Sequence, residues 1–246
     1  MHLPVIRGLI DRRILVNFRV QPQLVERLLP APFKPKIIHG YAIAGICLIR
    51  LKNVRPRFMP AFTGITSENA AHRFAVQWDD HGTVHEGVFV PRRDTSSWLN
   101  TWAGGRLFPG VHQHANFVVD ERDDHYRVEL TGDDGQLHLL VDGRVANQLP
   151  AGSVFASMDE ASEFFERGSF GYSSAHAAGQ FDGLELRTFN WHMQPLAVET
   201  VCSSYFADTD RFPAGSIQYD SAFLMRNIEH EWHSQGCLCA AEIGSN

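Results

Sequence analysis

Apolar and polar positions along this chain alternate mostly with period two, and they outline a succession of strands with a few short helices. Arg13-Ile-Leu-Val-Asn-Phe-Arg-Val20 is β-branched and alternates in its second half. It runs into Gln21-Pro-Gln-Leu-Val-Glu-Arg-Leu-Leu29, where Leu24, Val25, Leu28 and Leu29 share one helical face and Pro22 suits a first turn. Pro30 and Pro32 stop that helix. His39-Gly40 reads as a turn into a long strand from Tyr41 to Leu51. Strands over 71–78 and 84–90 flank Asp79-Asp-His-Gly-Thr83, a hairpin loop. Asp94 offers an N-cap to a short helix over 94–103, which Gly104-Gly105 ends.

A meander follows at 111–120, 125–131 and 136–146, with Asp133-Asp-Gly135 as its tight turn. Ser157-Met-Asp-Glu160 is a capping-box pattern opening a helix to about Arg167, stopped by Gly168. Strands over 184–191, 196–206 and 217–226 complete the pattern. No repeat, low-complexity stretch or composition break marks a linker. The pattern predicts one α+β domain over 1–236, built on a curved antiparallel sheet or barrel, and a flexible tail over 237–246.

A length of 246 residues suits one β-rich domain with a sizeable core. The hydrophobic content of 44% excludes a disordered chain, and a net charge of −6 argues against a nucleic-acid partner. Three of the 22 basic residues are lysines, Lys34, Lys36 and Lys52, and the rest are arginines. Arg7, Asp11, Arg12 and Arg13 interrupt any signal-like segment, and no apolar run is long enough to span a bilayer. A cytoplasmic protein without a membrane partner is expected. The four cysteines are not a disulfide framework: Cys47 lies in an apolar run, and Cys237-x-Cys239 falls in the expected tail.

Chemistry has several candidates. His112 and His114 share a strand face and would hold a metal if His72 or His85 joined them. Thirteen scattered histidines make solvent or carboxylate partners the commoner explanation, so no metal is expected. Glu229-His-Glu-Trp-His233 has the wrong order and spacing for a zinc protease motif. Ser67-Glu68-Asn69 stands out, a carboxylate beside an amide opening an apolar strand with His72 and Arg73 just behind. An exposed Glu68 is the plain alternative.

Three landmarks then resemble the acetoacetate decarboxylase superfamily. Arg19-Val-Gln-Pro-Gln-Leu-Val-Glu-Arg-Leu-Leu-Pro30 is similar to its N-terminal arginine and helix. Ser67-Glu68-Asn69 falls where that family carries its active-site glutamate, and Gly105-Arg106-Leu-Phe-Pro-Gly-Val-His-Gln-His114 falls on its glycine-arginine and lysine-pair segment. The landmarks cover residues 11 to about 115 in order. The resemblance is strongest to an uncharacterised, lysine-free branch, a bacterial family of unknown function. It implies that family's curved sheet around a small-molecule pocket, with Glu68 and position 113 facing it. A Schiff base needs a lysine, and Gln113 and His114 stand where the pair would be.

The resemblance therefore implies a cofactor-free, lyase- or hydrolase-like enzyme acting on a small carbonyl compound or organic acid. Glu68 would be its general acid or base, with Gln113 or His114 polarising the oxygen. Arg106, Arg92, Arg93, Asn69 and His72 are the expected substrate contacts. Strand alternation would point His112 and His114 away from the pocket, and a one-residue slip would reverse this. The alternatives are a non-catalytic binding protein on the same fold and a histidine-ligated metal enzyme. A homo-oligomer is compatible with all three.

Overall fold

A computed structural model describes residues 4–103, 110–175, 177 and 179–239. In chain order the elements are β1 (Ile6–Val20), α1 (Pro22–Leu28), β2 (Lys34–Pro35), β3 (Ile37–Ile38), β4 (Tyr41–Pro56), β5 (Ile65–Asp80), β6 (Thr83–Thr95), α2 (Trp98–Ala103) and β7 (His112–Arg122). They continue with β8 (His125–Gly132), β9 (His138–Val145), α3 (Met158–Glu166), β10 (Phe170–Ser174), β11 (Gln180–Thr188), β12 (Gln194–Ser203) and β13 (Ile217–Cys239). This is the mostly-sheet α+β architecture the pattern predicts. The local signals act as expected. His81 and Gly82 both take positive φ in the two-residue β5–β6 turn. Ser157 Oγ accepts the Glu160 N–H at 3.1 Å, while the Glu160 carboxylate accepts from Ala156 N.

The strands close on themselves twice. One circuit runs β1–β4–β5–β6–β10–β11–β13 and back to β1, antiparallel except at β6–β10. The other leaves β6 through a short parallel pairing with β7 and returns through β8, β9 and β12 to β13. The circuits share β1, β4, β5, β6 and β13, so these strands are covered on both faces. That explains why β4 contains the run Ala42-Ile-Ala-Gly-Ile-Cys-Leu48, which has no polar residue and is buried throughout.

Two buried apolar clusters lie on the two sides of this shared wall. Leu15, Ile43, Cys47, Ala75, Phe164, Phe165 and Phe223 face the first chamber. Ile14, Val16, Ala44, Ile46, Phe74, Leu139, Leu196 and Leu224 face the second. Helix α3 turns Phe164 and Phe165 toward the first chamber.

Two boundaries need correction. The helix expected over 94–103 begins only at Trp98, because Asp94 and Thr95 pair in β6 against β5 and β7. The tail expected from residue 237 is strand through Cys239, which pairs with Gln180. Strand β13 therefore continues well past 226, and its length lets one strand border both chambers. The short β10 has no counterpart in the sequence pattern. No helix among the described residues is long and apolar enough to cross a membrane.

Candidate functional site

The first chamber holds a cavity of about 170 Å³, lined by β1, β4, β5, β6, the start of β7, β10, β11 and β13. An outer compartment of about 80 Å³ adjoins it and shares Leu51, Asn69, Arg93, His112, Leu184 and Trp232. On the other side a small, more enclosed compartment reaches Lys36, Phe164 and Phe165. A cavity of about 150 Å³ accommodates a benzene-sized molecule, so this space suits a small organic compound.

Register builds the lining. Cys47 pairs with Ala71, Ala71 with Arg93, and Arg93 with His112, so one row crosses four strands on the chamber side. Ala71 is small and leaves room above itself for the long Arg93. Arg73 lies two residues further along β5, and Arg13 faces the same space from β1. Gly45 admits this arrangement. A Cβ there would stand 2.6 Å from the Val16 carbonyl oxygen and crowd Asn17 and Arg73.

Charge distinguishes the chamber. Arg73, only 4% exposed, donates from Nη2 to Asn17 Oδ1 at 2.7 Å. Arg93 donates from Nε to Ser173 Oγ at 3.1 Å. Arg13 lies 6.0 Å from the Trp191 ring, and its buried Nε has no hydrogen-bond partner among the described residues; neither has Arg73 Nε. Among the described residues, no salt bridge to a carboxylate involves any of these three guanidiniums. Burial lowers Arg73 and Arg93 to about 10, which still leaves both charged at neutral pH.

His112 is the imidazole in this wall. Its Nδ1 lies 3.1 Å from the Gly110 carbonyl, which can only accept, so Nδ1 carries the proton and Nε2 keeps its lone pair. Burial, and then the Arg93 charge, push His112 down to about 4, so the ring is neutral at pH 7.

Of the residues expected from sequence, Arg93 and Asn69 line this chamber and are brought together there. The others go elsewhere. Glu68 faces the second chamber: Oε2 accepts from the wholly buried Arg12 at 2.5 Å, and Oε1 accepts from Arg50 Nε at 2.5 Å. Arg12 also reaches Glu121 at 2.5 Å, so Glu68 is part of a compensated cluster with both oxygens engaged. The expectation that Glu68 lines the pocket beside position 113 is corrected by alternation, which gives Ser67 and Asn69 to the cavity instead.

Gln113 is exposed and His112 takes the inward position, the reverse of the expected register. His114 stacks on Trp98 at 3.8 Å, with Nδ1 2.7 Å from Asp133 Oδ2. Arg92 turns away to Asp94 and Asp134. His72 is buried on the second side, 3.2 Å from Ser203 Oγ and packed on Tyr205. Arg106 lies outside the described residues.

Arg13 and Arg73 were not among the expected substrate contacts, Arg73 being noted only behind Glu68 and Arg13 only as an N-terminal charge. The excess of arginine over lysine was their one available signal. Among the described residues, no group of three His, Cys, Asp or Glu side chains is placed to hold a metal ion.

Comparison with known proteins places this architecture. The DUF2071 family, described as an uncharacterized conserved protein, matches residues 10–215, and the chain belongs to it. No curated protein sequence matches. Among solved structures, acetoacetate decarboxylase from Legionella pneumophila subsp. pneumophila str. Philadelphia 1 superposes with a TM-score of 0.63 at 11% identity, covering 95% of this chain and 87% of that one. An acetoacetate decarboxylase-like enzyme from Sphingomonas wittichii RW1 gives 0.57 at 12% identity, over 96% and 92%. The enduracididine biosynthesis enzyme MppR, complexed with pyruvate, gives 0.57 at 10% identity, over 97% and 90%. At such identities the shared property is the acetoacetate decarboxylase-like fold.

Two outcomes follow from the placement of charge. Glu68→Gln leaves the buried Arg12 with one carboxylate fewer and is expected to lower unfolding free energy by about 3 kcal/mol in urea titration. Unchanged stability with a 10²–10⁴-fold loss of an assayed activity would instead make Glu68 the base. Burial also depresses His72 to about 3 and His230 to about 4, alongside His112. Between about pH 6.5 and 4 the unfolded chain binds protons that these folded imidazoles refuse. Stability is therefore expected to fall as pH drops through that window, by about 1.4 kcal/mol per unit for each histidine. A flat urea midpoint from pH 7 to 5 would contradict the neutral assignment.

Proposed function

We propose that this DUF2071 protein binds a small organic acid in the first chamber and acts on it as a cofactor-free enzyme. The observation that carries the reading is the set of Arg13, Arg73 and Arg93 guanidiniums around one cavity without a carboxylate partner among the described residues. Buried charge is costly unless paired, so an anionic occupant is the missing counterion. Arg93 would take a carboxylate by paired hydrogen bonds, with Asn69 and Asn100 at the rim.

In this reading His112 supplies acid–base chemistry. The lone pair on Nε2 takes a proton from carbon beside a carbonyl, and the neighbouring guanidiniums stabilise the charge that develops. An anion in the chamber also offsets Arg93 and makes His112 more basic when substrate is bound than when the site is empty. The low affinity of the empty-site imidazole for protons favours one second reading, a binding protein that orients its ligand without turnover. The reaction proceeds without an imine. Lys36 does reach the inner compartment, but its ammonium is held by Glu86 at 2.7 Å and lies over the Phe164 ring. That MppR is complexed with pyruvate supports a small oxo acid as the kind of occupant.

Cys47 is a built-in reporter, because its thiol lines the same cavity while Cys202 and Cys237 are exposed. Alkylation by iodoacetate, relative to neutral iodoacetamide, is expected to be favoured at Cys47 over Cys202 by on the order of tenfold, read by peptide mass mapping. Equal ratios, or failure of iodoacetate to reach Cys47, would remove the anion site. Borohydride reduction in the presence of pyruvate is expected to leave the protein mass unchanged. A reduced adduct mapped to Lys36 would overturn the imine-free reading.

A further inference from the structure

Three guanidiniums carry more positive charge than one carboxylate neutralises, and they do not stand at one point. Arg93 lines the main cavity and its outer compartment, beside His112 and Asn69. Arg13 and Arg73 line the main cavity and its inner compartment. Along β5, Arg73 is two residues beyond Ala71, the register partner of Arg93, a displacement of about 7 Å. Cys47, Ala71, Val88 and Val90 line the same main cavity, which contributes no carboxylate to either arginine group. Asp94, the acid in that lining, is taken by Arg92, whose Nε and Nη2 both donate to it.

The cavity is therefore positive at two places with an apolar stretch between them. A monocarboxylate would satisfy one place and leave the other as a buried unpaired charge, the costly arrangement for a closed site. A short chain with an acid at each end matches both. Arginine suits the task because it keeps its charge under burial and presents a planar fork to a carboxylate.

We infer that the occupant of this chamber is a short-chain dicarboxylate. One carboxylate is held by Arg93, and the other by Arg13 and Arg73 at the inner end. The inference rests on the organic-acid reading above and adds the second anionic group. It places the reactive carbon next to the Arg93-held end, within the His112 row, and gives the inner end a purely binding role.

The test is calorimetric titration of the full-length protein at pH 7 and fixed ionic strength. Propionate, pyruvate, butyrate and valerate are compared with malonate, succinate and glutarate, and phosphoglycolate is added as an anion that carries one carboxylate and one phosphate. At least one dicarboxylate is expected to bind about tenfold or more tightly than the monocarboxylate of equal carbon number. Arg73→Gln is expected to shrink that ratio toward one, whereas Arg93→Gln weakens both ligand classes. If monocarboxylates bind and no dicarboxylate exceeds its partner, the inference is overturned while the organic-acid reading stands. If phosphoglycolate binds more tightly than every dicarboxylate, the assigned class is wrong. If no acid of either kind binds, both readings fall. The ligand series on the unaltered protein decides the matter even if Arg73→Gln does not fold.

Discussion

Five strands in this protein are buried on both faces, and that constraint governs everything else. Because β1, β4, β5, β6 and β13 belong to two closed circuits, successive residues on them enter two different chambers. Arg12 goes to one and Arg13 to the other. Glu68 and Asn69 part in the same way, as do His72 and Arg73, and Arg92 and Arg93. Each of these neighbouring pairs is split by one step of the pleat.

The two chambers handle charge in opposite ways. On the second side Arg12 and Arg50 meet Glu68, Glu121 and Asp11 in a compensated cluster, which lets a wholly buried guanidinium persist beside an apolar core. On the first side Arg13, Arg73 and Arg93 have hydrogen bonds or aromatic contacts but no described carboxylate. A folded protein retains such a deficit only against a stability cost, and a functional site is the usual place for it. The preference for arginine follows. A buried lysine would surrender its proton, whereas Arg73 and Arg93 stay charged even when burial lowers them to about 10.

Much of the architecture was legible in the chain because it rests on local physics. The period-two pattern located most of the strands, the capping box opened α3, and Pro22 started α1. The landmark segments pointed to the acetoacetate decarboxylase-like fold that the solved structures share. Boundaries failed where tertiary pairing outbid local preference. Asp94 looks like an N-cap, but β5 and β7 both pair with that stretch of β6 and keep it extended. The segment after 226 looks unpatterned, because its residues answer to one chamber and then to β11.

The sequence by itself determined where most of the strands lie, that the core is sufficient, that lysine chemistry has no pair at 113–114, and that arginine carries the positive charge. Only the tertiary structure decided which of two adjacent residues reaches the cavity. That choice depends on bulges that no periodicity reveals. Between Phe89 and Arg92, β6 carries one residue more than β5 does between Phe74 and His72, and the extra residue reverses the facing of everything after it. Val88 and Val90 therefore share the chamber with Arg93 rather than with Arg92. A second bulge, at Asp11 in β1 against β4, separates Ile10 from Arg12. A single inserted residue changes no local propensity, yet it exchanges the two faces of a strand; here that exchange selected the charges that meet a ligand.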